Sequence, residues 1–279
     1  MTVSMLLWAL IHSTGGTVFA CFQLFWLHSA GYALTPSRTL AAACGHAITY
    51  TADKLVANDE DKRGRSYDGG AFARHRRATA CFLAACFAVF GACALHHPDL
   101  LVSSVLTSAI TAFYVTPLPV VGKRIKTLFP LSKTVYVAGV AAVWSHATQL
   151  AVPDTPARWR IAALSALFVA HQTAAFDLKD VDADRHAGVV TLPTLLGADN
   201  AVRVLCASYV ALGVACMCTL PALADGVSML AVTLVVATCA WRSDARTRVA
   251  PNVTWQYGAM AGPWLLRCAA RAAASAVRP

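Results

Sequence analysis

Charge is scarce in this chain. Only 13% of its 279 residues are Asp, Glu, Lys or Arg, where a soluble domain carries roughly a quarter. With 57% hydrophobic residues and a mean hydropathy of +0.56, water is not its only solvent. No repeat of about 20–50 residues is present, and no low-complexity tract stands out beyond a general richness in alanine. None of the ten cysteines forms a C-x-x-C pair, and no Cys/His group has zinc-site spacing. Nearly all of them lie inside apolar runs, as small packing residues do. The N-terminus lacks the cleavage pattern of a secretory leader, so its first apolar stretch is expected to persist as a span. The formal charge of +9 is spread over short loops rather than one continuous face, which argues against a nucleic-acid partner.

What the chain has instead is a succession of long apolar runs. A membrane span takes about 20 apolar residues, which leaves room for about seven to nine spans and no separate soluble domain. Residues 1–279 are therefore expected to be one transmembrane domain. Polar breaks place the spans near 4–27, 38–57, 79–97, 99–117, 134–152, 160–177, 201–221, 226–241 and 254–272. Backbone groups in lipid must pair within their own segment, and these Ala/Leu-rich runs are too long for barrel strands. The expected fold is all-α and polytopic.

Alternating the spans across a bilayer separates the loops by charge. The face reached after the second, fourth, sixth and eighth spans holds 17 of the 23 basic residues, the other six being Arg38, Arg158, Arg160, Arg267, Arg271 and Arg278. By the positive-inside rule that face is cytoplasmic, or its organellar equivalent. Eleven of the 14 acids fall there too, leaving Asp99, Asp154 and Asp225 opposite. Orientation does not require acids, since Asp and Glu contribute little to topology. A face gathering carboxylates and cations together suits a metal and a phosphate.

The sharpest acidic cluster ends the sixth span: Asp177-Leu-Lys179-Asp180-Val-Asp182-Ala-Asp184-Arg185. Asp177, Asp180 and Asp184 are spaced i, i+3, i+7 and are expected on one helix face. Three carboxylates within two turns repel one another. A divalent cation offsets that repulsion, and Mg²⁺ commonly bridges one or two carboxylates to substrate phosphates. The plain alternative is a solvated helix end.

Continued to Gly188-Val-Val-Thr191-Leu192-Pro193-Thr-Leu-Leu-Gly197, the segment resembles the second aspartate-rich motif of UbiA prenyltransferases, D-x-K-D-x-x-x-D followed by G-x-x-T-L-P and often L-L-G. The match covers about 21 residues. The resemblance implies about nine transmembrane helices around a central cavity, with Asp180 and Asp184 binding Mg²⁺-diphosphate and Asp177 as a further metal ligand. The family's first motif, N-D-x-x-D-x-x-x-D, should close the second span. Here Tyr50-Thr-Ala-Asp53-Lys54-Leu is similar to a Y-x-x-D-R-L version, but Ala57 stands where a further aspartate belongs, followed by Asn58-Asp59-Glu60-Asp61. Either Asp53 is a ligand and Asp59 or Asp61 supplies the second carboxylate, or the Asn58–Asp61 cluster is itself a shifted motif. Asp53 is favoured because it shares a helix face with His46 and Tyr50 inside a span, where an ionisable residue is a functional candidate by default.

A third stretch, Tyr114-Val-Thr-Pro117-Leu-Pro119-Val-Val-Gly-Lys123-Arg124-Ile-Lys126, with Lys133 opening the next span, is similar to the family's Y-x-x-P-L…K-R segment. The resemblance makes Lys123 and Arg124 catalytic cations and adds Lys133, Tyr114 and Asn58 as diphosphate-binding residues. Cations beside a departing diphosphate neutralise its developing charge, although topology alone would account for any one of them. Arg74-His75-Arg76-Arg77 is expected to serve topology or anionic lipid. His171, His12, His28 and His146 are expected to make hydrogen bonds between helices.

The expected activity is Mg²⁺-dependent transfer of a prenyl group from an isoprenoid diphosphate to a hydrophobic, typically aromatic, acceptor. Departure from the first motif keeps a second outcome open, a terpene cyclase in which the substrate's own double bond captures the cation. A transporter or non-catalytic scaffold is the third. Transporters place their acids near the bilayer midplane on broken helices, whereas these acids gather at helix ends.

Overall fold

The computed structural model describes residues 25–26, 28–29, 35–55, 75–97, 100–102, 105, 109, 112–114, 116–147, 155–220 and 223–242. All regular structure among them is helical. Six long helices follow in order: α1 (Pro36–Leu55), α2 (Arg76–His96), α3 (Ser132–Ala147), α4 (Pro156–Asp177) and, after two short helices α5 (Val181–His186) and α6 (Leu192–Leu196), α7 (Ala198–Thr219) and α8 (Leu223–Arg242). A single 3₁₀ turn, Ile125–Thr127, lies in the loop before α3.

These bounds fall within a few residues of six expected spans. The span expected at 99–117 is described in part, and its described residues up to 114 are helical. The spans expected at 4–27 (apart from its last turn) and 254–272 lie outside the described residues. Proline opens both α1 and α4, where its fixed φ fits and its missing N–H costs no helical bond. Helices α2 and α7 are long and apolar enough to cross a membrane by length and composition. The bundle is apolar outward as well as inward: Phe87, Leu95, Val135, Leu167 and Val204 are exposed. Such a surface suits a lipid surround rather than water.

The helices pack as antiparallel hairpins. Ser37 at the start of α1 shares a 2.7 Å hydrogen bond with His97 at the end of α2, and Cys44, Ala47 and Cys86 are buried between the two. α3 packs along α4, and α4 also meets α7, which pairs with α8. In the larger core, Trp26 and Phe168 lie 6.3 Å apart and Phe168 and Tyr209 6.0 Å. α7 and α8 come close because Gly226 has no side chain: a Cβ there would sit 2.6 Å from Met217 Cα.

Antiparallel pairing of α3 with α4 sets the start of one beside the end of the other. Those two ends carry Lys133 and Asp177.

Candidate active site

The acids do not form the straight stripe that their spacing suggests. α4 stops at Asp177, and the next three N–H groups reach back only three residues: Leu178 to Ala175, Lys179 to Phe176 and Asp180 to Asp177, at 3.3, 3.3 and 3.0 Å. This tighter last turn ends the helix. α5 then starts afresh with Asp180 at its N-cap and Asp182 and Asp184 in its first turn, where carboxylates meet the positive end of the helix dipole. The bend sets the three carboxylates at different depths. Asp177 turns inward with its side chain 2% exposed, while those of Asp184 and Asp180 are 11% and 25% exposed.

The rest of the motif decodes as chain geometry that fixes Asp184. Gly188, at φ +68°, ends α5 in the left-handed region, with Gly188 N–H donating to Arg185 O at 3.2 Å and Val189 N–H to Asp184 O at 2.8 Å. That pair of bonds is a Schellman cap, and it holds the main chain of Asp184 itself. Thr191 then caps α6 in a reciprocal box with Thr194, and Pro193 stands in the first turn. Between cap and box, Val190 O accepts a 2.7 Å bond from Leu131 N–H. Leu131 has φ 63°, a conformation costing of order 1 kcal/mol for a residue with a side chain. It stands two residues before Lys133, and the bond stitches the acidic segment to the start of α3.

Lys133 is the centre of the arrangement. Its ammonium lies 2.7 Å from Asp177 Oδ1 and 3.5 Å from both oxygens of Asp184. Lys179 and Asp180 pair at 3.8 Å. Asp177 Oδ2 is buried with no hydrogen-bond partner, and so are Ser132 Oγ and Thr134 Oγ1 on either side of Lys133. Burial raises the Asp184 carboxyl to about 6; the ammonium of Lys133 opposes the rise, and the charges of Asp177 and Asp180 add to it.

The other cations divide differently from the sequence expectation. Lys123 is exposed and Arg124 half-buried, whereas Lys126, which the sequence ranks behind both, is buried at 6% exposure. Its ammonium sits 5.9 Å from the centre of the Tyr114 ring, a cation–π distance. Tyr114 in turn stacks on Tyr136 at 5.4 Å and 17°. Tyr136 follows Lys133 by three residues, one helical turn, and that spacing was the available signal for it. Lys126 has no such signal, because a loop has no period.

Asp53 falls in the last turn of α1, its side chain outside what is described; Asn58, Asp59 and Asp61 lie outside the described residues. His171 was expected to bond between helices. Its Nδ1 instead donates to Leu167 O at 2.7 Å within α4, and its ring faces Tyr209 at 5.4 Å. Among the described residues no three acidic, His or Cys side chains gather as a metal cluster. Asp180 and Asp184 nevertheless fit a hard cation, since both are oxygen donors on adjoining turns, and Mg²⁺ needs only one or two carboxylates when phosphate oxygens complete its shell. The unpartnered Asp177 Oδ2 shows that the acidic side of the site is not saturated by the protein.

The chain matches no known family model and no curated protein. Among solved structures it resembles the apo form of a UbiA homolog from Aeropyrum pernix K1, with a TM-score of 0.64 at 18% identity, covering 93% of this chain and 98% of that one. It resembles a UbiA homolog from Archaeoglobus fulgidus bound to GPP and Mg²⁺ equally well, at TM-score 0.64 and 18% identity over 92% and 97%. The same homolog bound to DMAPP and Mg²⁺ gives 0.63 at 18% identity. The architecture is thus that of an all-helical UbiA-type fold, over nearly the whole length of both chains.

Proposed function

We propose that this chain is a divergent member of the UbiA superfamily, a multi-pass membrane enzyme that moves a prenyl group from an isoprenoid diphosphate to a hydrophobic acceptor with Mg²⁺ as cofactor. One observation carries this. The second aspartate motif is folded around a half-buried lysine, in an architecture like that of a solved UbiA homolog bound to GPP and Mg²⁺. Asp180 and Asp184 would hold the metal, with Asp53 and the Asp59/Asp61 segment as the opposing carboxylates. When bound, Mg²⁺ neutralises the diphosphate and makes it a better leaving group.

The chain's own residues supply the rest. Lys133 and Lys126 are the inward cations for the diphosphate, with Arg124 and the exposed Lys123 at the rim. The unpartnered hydroxyls of Ser132 and Thr134 offer further donors at the N-terminal end of α3, where the helix dipole favours an anion. The Tyr114–Tyr136 stack lies beside these cations, with Lys126 over the Tyr114 ring. An acceptor, typically an electron-rich ring, captures the allylic cation. Positive-inside charge puts these loops on the cytoplasmic or equivalent face.

The test is diphosphate release from geranyl, farnesyl and geranylgeranyl diphosphate by the purified chain in detergent, with Mg²⁺ or EDTA, products being read by GC–MS. Mg²⁺-dependent release is expected, falling by about a hundredfold or more in Asp180→Asn and Asp184→Asn. Wild-type turnover in either folded variant sinks the assignment. The departure at Ala57 supports terpene cyclisation as the second reading, and a cyclic product formed without acceptor would select it. Silence with every diphosphate and acceptor, together with solute flux in liposomes, would point to transport instead.

A further inference from the structure

We infer that Lys133 is a positioning residue that couples metal binding to diphosphate binding, standing in for the cation at Asp184 until the two ligands arrive together. The inference rests on the proposed function and adds an order to it. Lys133 is anchored at one carboxylate and stretched to another: 2.7 Å to Asp177 Oδ1, 3.5 Å to each oxygen of Asp184. An ammonium has three donors, and the long contacts to Asp184 are the weaker ones. The anchor has a spare acceptor, because Asp177 Oδ2 is buried without a partner.

A divalent ion that takes Asp184 must displace the ammonium. With no anion present, the displaced charge stays half-buried beside the metal, and the two repel. With a diphosphate present, the ammonium turns to a phosphate oxygen while Asp177 keeps hold of its other side. Metal and diphosphate therefore each favour the other's binding, and the coupling is reciprocal. Asp177 is then the counter-ion of Lys133 rather than a metal ligand. Its burial, the deepest of the three acids, agrees with that role.

The test uses the full chain in detergent and two readouts: Mn²⁺ alone, titrated by EPR, and inorganic diphosphate retained on dialysis at saturating Mn²⁺. Lys133→Gln should bind Mn²⁺ alone about tenfold more tightly and retain diphosphate about tenfold less, within the usual range for coupled sites. A merely structural lysine would weaken both together. Should Lys133→Gln fail to fold, Lys133→Met combined with Asp177→Asn removes the pair without leaving a buried charge, and the same opposite shifts are expected. Mn²⁺ affinity unchanged or reduced in a folded variant overturns the inference and leaves the proposed function standing. If the wild-type chain binds neither Mn²⁺ nor diphosphate, the proposed function itself falls, and this inference with it.

Discussion

Asp184 is asked to be two things, a buried side chain and an anion. Burial raises its carboxyl to about 6 from an ordinary 3.8. The folded value lies above the unfolded one, so its proton-bound form is favoured by folding. That contribution is fully present below about pH 4 and is lost as pH rises through about 6; it is worth at most about 3 kcal/mol. The metal-free protein should therefore melt at a lower temperature at pH 7 than at pH 5. Mg²⁺ should restore the loss at pH 7 and do little at pH 5, where a proton holds the carboxylate. Melting curves in detergent at the two pH values, with Mg²⁺ and with EDTA, check this; an equal effect of Mg²⁺ at both would separate Asp184 from the metal. The acids themselves were legible in the sequence because spacing marks them. Lys133 was legible as a cation opening a span and, by resemblance, as a diphosphate binder, but its closeness to Asp177 and Asp184 was not, since that depends on chain folding across 44 and 51 residues. Lys126 ranked behind Lys123 and Arg124 for the same reason: nothing local distinguishes a lysine over a tyrosine ring from one in water.

Elements were more readable than side chains. Six helices could be placed within a few residues, because apolar run length and proline punctuation both act locally. The bend after Asp177 was not anticipated. An i, i+3, i+7 pattern assumes that the helix continues, and here three i→i+3 hydrogen bonds end it. Yet the pieces that build the bend stand plainly in the sequence: a glycine for the positive φ at 188 and a Thr191-Leu-Pro193-Thr194 start for α6. Packing between elements makes its own demand. The α7–α8 contact needs a residue without a side chain at 226, where even a methyl group would meet Met217 backbone. Gly226→Leu should push the two helices apart and destabilise the bundle by about 1–3 kcal/mol. Thermal melting of the variant in detergent measures it, and an unchanged midpoint would mean that the contact is looser than described.

For the whole molecule the main consequence concerns sides. α4 has 22 residues, about 33 Å of helix, which matches a hydrocarbon core of about 30 Å. One end carries Ala157 and the other leads to Arg185, both exposed. In sealed vesicles, with the native cysteines replaced, Ala157→Cys and Arg185→Cys should be labelled by an impermeant thiol reagent from opposite sides, Arg185→Cys from the cytoplasmic one. Labelling of both from one side would remove the transmembrane placement of α4. Hydropathy and loop charge are what this expectation rests on, since both are sums over many residues and tolerate local error.

The bond from Leu131 N–H to Val190 O runs from main chain to main chain. It asks nothing of either side chain except that residue 131 keep an N–H and accept its left-handed backbone. Mutation can therefore rewrite the letters around the stitch without pulling it out. A lineage of such chains can drift until their sequences share little, while the lysine and the acids stay in register. Shape then outlives spelling: at 18% identity the likeness of fold is plain in three dimensions, while no family model and no curated protein matches.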